Sequence, residues 1–558
     1  CLVADPSGYA NLCRLLTRRH RAPAFDLGAE VAALGAGLVV LTGIPELLRC
    51  WRDAGLTVAA AVPRRPVAAG HPLARAARHL GVPMAAVPGS FFLAPEDAAV
   101  HRLLRAVAGN TALSRLSPGN CAPEDAWLAS PGVYARRFHM CPEMIRATHD
   151  LAEQLAFTRP DFGTVMPPWD AGAGEDANAA LRAAAFRGAR KRYGGVLSSA
   201  VASRLEHELQ VIADKRFSSY FLVVREIVAQ SPRICGRGSG AASLVAYCLG
   251  ITNVCPVKHH LYFERFLNPG RSDPPDIDVD FAWDERDAVI AAVLEKFRGR
   301  AALVAGHVCF QPRMAVRETA KVFGLPEGEI RRVARRIPHH GMGGGPLLAR
   351  LRSLPESRGL ALAPPWPGII ALAGRITGLP RYLSVHPGGT VITPGPIDRY
   401  VPVETAPKGV PVIQWEKDGA EDAGLVKIDL LGNRSLGVIR DAVAGIRAAG
   451  VDFDEAGWRP EDDPDTRAAV AAGRTMGCFY IESPAMRLLQ KKTGRGDFEH
   501  LVIHSSIIRP AAGGCIQEYI RRLRGGAWEP IHPLLADVLD ETYGVMVYQE
   551  DVSRTAVA

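Results

Sequence analysis

The sequence predicts a multidomain protein of mixed α/β and α+β class. With 558 residues, of which 48% are hydrophobic, the chain is too long for one hydrophobic core, and we expect roughly three or four domains. In the first 185 residues, short apolar runs such as residues 38–43 alternate with helical patterns, as in an α/β layer or barrel. Acidic and apolar residues then alternate over residues 275–281, which is the period of a β-strand among helical segments.

Composition narrows the class of partner. The net charge of +8 and the isoelectric point of about 9.0 favour a polyanion such as nucleic acid. The eleven cysteines show no CxxC pair or zinc-ligand spacing, which is typical of reduced, buried thiols in a cytosolic protein. The chain has no signal peptide and no long apolar run, so nothing argues for a membrane or for export. We expect both ends, Cys1 and Ala558, to be cuts in a longer protein.

The remaining segments predict the following order. The histidines of the first 185 residues show no close metal-ligand pairing, and residues 167–174 are typical of a linker. Residues 283–375 are mainly helical and basic, with an arginine run at 329–336 beside a glycine-rich loop at 339–345. Those arginines are either a solvated helix face or contacts for backbone phosphates. Residues 383–432 predict strands, and residues 433–558 are mostly helical.

The acidic strand is the first element that carries chemistry. Its period puts Asp276, Asp278 and Asp280 on one face of a strand over residues 275–281. Such a row of carboxylates repels itself unless cations neutralise it, and hard oxygen ligands suit Mg²⁺ or Mn²⁺. The alternatives are a solvated strand edge and a structural calcium site.

A glycine-rich turn precedes that strand. Glycines at 236, 238 and 240 allow a tight turn, and we expect the helix after it to offer free N–H groups at its start. With Arg237 and Ser239 as further donors, this predicts a phosphate cradle. The alternative is a tight connection only, and the Gly-Lys-Ser/Thr ending of a Walker A loop is missing.

A later strand supplies another carboxylate. Lys427 and Asp429 share a strand face by the period of two. Asp429 would complete a two-metal site, in which two ions roughly 3.5–4 Å apart stabilise attacking and leaving oxygens. Lys427 could neutralise phosphate charge as it develops.

The order of turn, acidic strand and distant carboxylate is similar to the nucleotidyltransferase palm of the DNA polymerase β type. The sequence more specifically resembles the bacterial C-family DNA polymerases, the alpha subunits of DNA polymerase III and their error-prone relatives. The resemblance covers nearly the whole chain, weakly before about residue 190. The motifs that carry it are GRGS (236–239), LYFERFLNP (261–269), PDIDVDF (275–281), HPGG (386–389), QWEKD (414–418), GLVKID (424–429), FYIES (479–483) and YGVMVYQE (543–550).

The resemblance implies roles for individual residues. Asp278, Asp280 and Asp429 match the three catalytic, metal-binding carboxylates of the family, and Asp276 matches an acid outside those three. Gly238 and Ser239 match the pair that holds the incoming triphosphate, and Lys427 matches a lysine beside the third aspartate. Arg237 is a further nucleotide-binding candidate, and the candidates in the fingers are Arg509, Arg521 and Arg522. Two Mg²⁺ ions are implied, with Mn²⁺ possible.

The resemblance also implies an order of domains. Residues 1–185 would be part of a polymerase-and-histidinol-phosphatase (PHP) α/β domain, 186–300 and 379–432 the palm, 301–378 a helical thumb and 433–558 helical fingers that end early. Residues 87–92 contain no metal ligand where metal-binding PHP domains carry one, so we expect a structural role for this domain.

The function implied is template-directed DNA synthesis of the replicative alpha-subunit type. Within the class, the alternative is an error-prone translesion polymerase, because residues 504–510 look closer to that branch and residues 431–436 match neither well-known replicative form. Alternatives from other classes are a non-catalytic DNA-binding scaffold and a template-independent nucleotidyltransferase. Expected partners are primer-template DNA, deoxynucleoside triphosphates, a sliding clamp and other replication or repair subunits, in the bacterial cytoplasm at the nucleoid.

Overall fold

The computed structural model describes residues 1–169, 176–268, 270, 274–338, 345–360, 362–455, 457–510 and 512–558. Parts of three segments discussed above lie outside the described residues: 170–174 of the linker, Pro269, and 339–344 of the glycine-rich loop. No helix among the described residues is both long and apolar enough to cross a bilayer. The cysteines are free thiols, but only Cys13 and Cys248 are buried and five are exposed, so the expectation of buried thiols is wrong for most of them.

Strands and helices alternate through the described parts of the chain. The strands are β1 (Leu2–Val3), β2 (Leu38–Thr42), β3 (Thr57–Pro63), β4 (Met84–Val87), β5 (Ile234–Arg237), β6 (Asp278–Ala282), β7 (Ala301–Cys309), β8 (Pro380–Ile392), β9 (Val403–Thr405), β10 (Pro411–Glu416) and β11 (Lys427–Asn433). The helices are α1 (Pro6–Arg21), α2 (Leu27–Leu34), α3 (Pro45–Asp53), α4 (Pro72–Leu80), α5 (Ala98–Ala108), α6 (Pro131–Arg137), α7 (Pro142–Glu153), α8 (Ala177–Tyr193), α9 (Ser199–Asp214), α10 (Ser218–Val228), α11 (Leu244–Cys248), α12 (Arg286–Lys296), α13 (Pro312–Val322), α14 (Glu327–Ala334), α15 (Leu347–Ser353), α16 (Trp366–Ile376), α17 (Lys417–Asp422), α18 (Arg434–Ala448), α19 (Pro464–Ala471), α20 (Pro484–Thr493), α21 (Phe498–Ile507), α22 (Gly513–Leu523) and α23 (Gln549–Val557). This mixture confirms the mixed α/β class.

The chain divides into two units, and the first comprises Cys1–Pro167 with Lys296–Lys427. Its amino-terminal sheet has the order β1-β2-β3-β4, in which β2, β3 and β4 are parallel and β1 is antiparallel to β2. Val40 and Ala60 are buried on this sheet, where they pack with Trp51 of α3. Parallel strands that are covered by helices are buried on both faces and therefore consist of apolar runs. The predicted α/β alternation is confirmed here.

The rest of the first unit contains a second group of strands, in the order β8-β7-β10-β9. Helices α13 to α16 share a core with α5. Strand β7 corrects the expectation that a helical segment begins at residue 301. Residues 301–305 are all buried and apolar, and β7 pairs with β8 and β10, so a long apolar run is used as a central strand.

The second unit comprises Pro168–Glu295 with Ile428–Ala558. Strand β6 pairs with β5 on one side, antiparallel, and with β11 on the other, parallel. Helices α8 to α11 precede and follow β5, and α18 to α23 form the helical carboxyl-terminal part that the sequence predicts. Strand β6 begins at Asp278, so the predicted strand over 275–281 is shorter at its start and Asp276 lies just before it.

The helical part of the second unit has its own core, formed by Leu489, Ile503, Ile507 and Tyr519. His504 is fully buried in the same region, with its ring centroid 5.9 Å from that of Tyr519 in an edge-on arrangement. Neither ring nitrogen of His504 has a hydrogen-bond partner among the described residues. Burial, with a smaller effect of His500, lowers the pKa of His504 to about 4.

This buried imidazole predicts a pH-dependent stability. The unfolded chain takes up a proton on His504 near pH 6.5, whereas the folded chain does so near pH 4. Between these values the unfolded state binds more protons, so stability is intact above pH 6.5 and falls with pH by at most about 1.4 kcal/mol per pH unit. Urea unfolding between pH 7 and pH 5 measures this slope. His504→Leu should flatten it, and an equal slope in that variant would contradict the assignment.

Candidate active site

Two parallel strands bring distant carboxylates together. In the register of β6 and β11, Asp278 lies directly opposite Asp429, although 150 residues separate them in the chain. Directly opposed residues of paired strands point to the same face of the sheet. The sheet therefore places both carboxylates on one face, as the sequence predicts for Asp278 and Asp429.

Asp276 completes a group of three. Oxygens of Asp276, Asp278 and Asp429 all lie within 4.8 Å of one another, and this is the one such group of three or more potential metal ligands among the described residues. Asp276 is exposed, Asp278 is half-buried and Asp429 is 8% exposed, so the group opens to solvent on one side. Three carboxylate oxygens are a hard donor set that fits Mg²⁺ or Mn²⁺.

Tyr220, which the sequence does not mark as a site residue, lies next to these carboxylates. It is fully buried in α10, and its hydroxyl oxygen accepts a hydrogen bond of 3.3 Å from the backbone N–H of Ile277. Burial, with smaller effects of the nearby aspartates, raises the pKa of Tyr220 and keeps the phenol neutral. The hydroxyl thus fixes the backbone between Asp276 and Asp278. No local pattern could have found it, because residues 220–228 are only a mostly apolar run in the sequence.

Asp280 is held by the protein itself. It is 7% exposed, and Asn433 Nδ2 donates a hydrogen bond of 2.9 Å to its Oδ2 atom. Arg237 Nε lies 3.4 Å from Asp280 Oδ1 and 4.0 Å from Asp278 Oδ2. Asn433 Oδ1 meanwhile accepts from the Ser435 N–H and caps α18. The group of three therefore includes Asp276, whereas Asp280 lies beside it in contact with Arg237 and Asn433.

The glycine-rich turn lies against the same strand. A 3₁₀ turn over Gly238–Ala242 follows β5, and Gly238 adopts φ +70°, a left-handed conformation that side chains disfavour. A Cβ at Gly238 would lie 3.6 Å from Asp278 Oδ2, so the turn lies beside the Asp278 carboxylate. At Gly236 a Cβ would lie 2.1 Å from the Ile251 carbonyl oxygen, which requires glycine there. The predicted turn is thus beside the acidic strand.

The predicted phosphate cradle needs one correction. Helix α11 has five residues, and its first N–H groups are already occupied. The buried Glu208 carboxylate accepts from the Val245 N–H (3.0 Å) and from Ser243 Oγ (2.9 Å), and Ser243 Oγ accepts from the Ala246 N–H (3.1 Å). Arg204 Nε donates to the other Glu208 oxygen at 3.0 Å, while burial raises the pKa of Glu208. The helix start is therefore filled by a buried side chain, which leaves the turn at 238–242 as the candidate donor of phosphate contacts.

The remaining candidates have separate environments. Lys427 is the last residue of the first unit and is 6% exposed. A Cβ at Gly389 would lie 3.1 Å from the Cδ atom of Lys427. Arg509 is exposed just after α21. Both Arg521 and Arg522 donate to Glu518 at 2.7 Å, and these bonds lower the pKa of Glu518 to about 2. The roles assigned to these four basic residues stay predictions.

Two family models match the chain. Residues 179–432 match the bacterial DNA polymerase III alpha NTPase domain, and residues 435–558 match the bacterial DNA polymerase III alpha subunit finger domain. The first matched range contains the turn and all four aspartates described above.

Curated relatives agree with these models. An error-prone DNA polymerase of Symbiobacterium thermophilum is 33% identical over all of this chain and 55% of the relative, and one of Mycobacterium tuberculosis is 34% identical over all of this chain and 53% of the relative. One of Alkalilimnicola ehrlichii is 37% identical over 75% of this chain and 41% of the relative. The chain thus spans about half the length of the first two relatives.

Proposed function

This chain belongs to the bacterial C-family DNA polymerases, and from that premise we propose that it carries the catalytic core of a template-directed DNA polymerase of the error-prone kind. The reaction would join a deoxynucleotide to a primer 3′ end and release pyrophosphate. The observation that supports this best is the convergence of the Asp276, Asp278 and Asp429 carboxylates beside the Gly238 turn.

The candidate residues of the site would have different roles in phosphoryl transfer. Asp278, Asp280 and Asp429 would hold two divalent cations, Mg²⁺ or Mn²⁺, with Asp276 in support. When bound, these ions supply charge that activates the primer hydroxyl and neutralises the triphosphate. Gly238 and Ser239 would position the triphosphate, and Arg237 and Lys427 would balance its charge. Arg237 already interacts with Asp278 and Asp280, so it is suited to compensate acidic charge at this point.

The wider organisation is part of the same proposal. We assign 1–185 to a PHP-like domain with a structural role, 186–300 and 379–432 to the palm, 301–378 to the thumb and 433–558 to the fingers, with Arg509 directed to the triphosphate. The partners would be primer-template DNA, deoxynucleoside triphosphates, a sliding clamp and other repair subunits, at the bacterial nucleoid.

The error-prone kind is preferred to the replicative kind that the sequence first indicated. The curated relatives above are named error-prone DNA polymerases, whereas nothing specifically supports the replicative alpha-subunit type. The segment at 504–510 also resembles the error-prone branch.

Primer extension by the full-length protein tests the activity. We expect a labelled primer to be extended to the end of its template only when template, all four deoxynucleoside triphosphates and Mg²⁺ or Mn²⁺ are present, because the acidic group needs cations and the family reads a template. Chelation of the metal should stop extension. Growth of the primer without template would favour a terminal nucleotidyltransferase, and DNA binding without extension would favour a scaffold.

The fidelity of extension separates the two branches of the family. On undamaged templates we expect more misincorporation than a replicative alpha subunit shows under the same conditions, and on a template with an abasic site we expect bypass. These results should persist in the absence of accessory subunits, since the proposal places them in the polymerase itself. Rare misincorporation together with a complete stop at the lesion would instead support the replicative alternative.

A further inference from the structure

The loop Thr475–Ser483 between α19 and α20, here called the aromatic loop, exposes an unusual amount of apolar surface. Met476 is 69% exposed, and Phe479 and Tyr480 are each 64% exposed. The two aromatic rings lie 6.1 Å apart between centroids with an interplanar angle of 49°. Large apolar side chains grouped together at the surface mark binding sites more often than isolated ones do.

The aromatic loop holds these side chains outward by its own hydrogen bonds. Thr475, which is 2% exposed, donates from Oγ1 to the Ile481 carbonyl at 2.7 Å. The Gly477 N–H donates to Glu482 Oε2 at 3.2 Å, and the Cys478 N–H donates to the Thr475 carbonyl at 3.2 Å. The rings are therefore presented on a backbone that is ordered before any ligand binds.

Tyr480 adds a sign of function. Its φ of +69° lies in the left-handed region, which bulky side chains seldom adopt because it is strained. Packing does not explain this conformation, because the side chain it presents is mostly in solvent. A strained backbone conformation that presents an exposed aromatic side chain is typical of a residue that contacts another molecule.

The charge of the segment that contains the aromatic loop and α20 indicates the class of ligand. Residues 471–496 contain five basic side chains and one acidic one, Glu482, which is engaged by the Gly477 N–H. Four of the basic residues are exposed: Arg474, Lys491, Lys492 and Arg495. Exposed rings on a segment that also carries exposed basic residues are a combination that suits single-stranded nucleic acid, because bases stack on the rings while the cations attract the backbone.

We propose that Phe479 and Tyr480 form a stacking platform for unpaired bases of single-stranded DNA. The proposal rests on the polymerase function and specifies it, since the single strand available to such an enzyme is the template ahead of the primer. A protein partner would also use exposed aromatic side chains, but the excess of positive charge favours a polyanion. The stacking is independent of base identity, because every base presents a π-face.

DNA binding by the full-length protein tests the platform without catalysis. Fluorescence anisotropy with a labelled primer-template that carries a long 5′ template overhang is compared with a blunt duplex, in chelator and without nucleotides. The double variant Phe479→Ala/Tyr480→Ala should bind the overhang DNA about 10- to 100-fold more weakly, since each lost stacking contact weakens binding severalfold or more. Binding to the blunt duplex should change less than about twofold, because phosphate contacts remain.

Two control variants make the result specific. Tyr480→Phe keeps the ring and should bind overhang DNA like the wild type. Trp458→Ala removes another aromatic side chain of the same unit, which is 53% exposed, and should also bind overhang DNA like the wild type. Thermal melting should be unchanged in all variants, because the replaced rings lie in solvent. Wild-type affinity of the double variant for overhang DNA would overturn the platform, as would an equal loss on blunt duplex. Failure of the wild type to bind or extend any DNA would instead overturn the proposed function.

Discussion

Asp278→Asn is expected to lower primer extension by about a thousandfold or more. The substitution keeps the size of the side chain and removes one negative charge from a group whose oxygens lie within 4.8 Å of one another. The charge stabilisation that metal ions give a phosphoryl transition state is worth several kcal/mol, and three factors of ten correspond to about 4 kcal/mol. Single-turnover extension at saturating Mg²⁺ measures the effect. A variant with more than a tenth of wild-type activity would remove Asp278 from the site.

Asp276→Asn is the matched comparison, because it is the same isosteric change two residues earlier. Asp276 is exposed, so solvent screens its charge more than that of Asp278, and we expect a loss of only about tenfold. Asp429→Asn and Asp280→Asn should resemble Asp278→Asn. Mn²⁺ affinity, measured by electron paramagnetic resonance, gives a readout apart from activity and should fall in the same order. If Asp276→Asn were as damaging as Asp278→Asn while Asp280→Asn were mild, the metal would be held by the group of three that includes Asp276.

Sequence periodicity predicts part of the acidic site but not all of it. Alternation at 276, 278 and 280 predicts one acidic face, and the strand does form, but it begins at Asp278. Pairing with Asp429 depends on the register of two strands far apart in the chain, which periodicity cannot supply. The resemblance to a family supplied it instead. The contact between Asp280 and Asn433 is likewise a tertiary contact, which no local pattern of the sequence indicates.

For the glycine-rich turn, the sequence predicts the local conformation but not the side chain that reaches it from another helix. Its position and its need for glycine follow from the sequence, and the positive φ of Gly238 agrees with them. The availability of the helix start does not follow, because Glu208 reaches it from α9, more than thirty residues earlier. In the sequence Glu208 belongs to an ordinary amphipathic helix pattern. A buried carboxylate that caps another helix can be recognised only when the two helices are seen together.

Helix α8 provides the prediction with the largest expected effect on stability, and it concerns the support of the same turn. Gly188 lies in α8, where a Cβ would be only 1.8 Å from the carbonyl oxygen of Cys248, the last residue of α11. That oxygen is backbone and cannot rotate away, so Gly188→Ala must push the two helices apart. We expect a loss of about 3 kcal/mol in the free energy of unfolding, at the upper end of overpacking effects. Urea unfolding followed by circular dichroism measures it.

Gly445→Ala is the matched control for this prediction. Gly445 also lies within a helix of the second unit, α18, but no atom would come within 4 Å of its added Cβ. Alanine restricts the unfolded chain and favours helix, so this variant should gain about 0.5–1 kcal/mol. The two glycine-to-alanine changes therefore have opposite expected signs. Because α11 follows the turn at 238–242, Gly188→Ala should also lose extension activity at temperatures where it is still folded, whereas Gly445→Ala should not. Equal stability of the two variants would mean that α8 and α11 do not approach as closely as the backbone positions indicate.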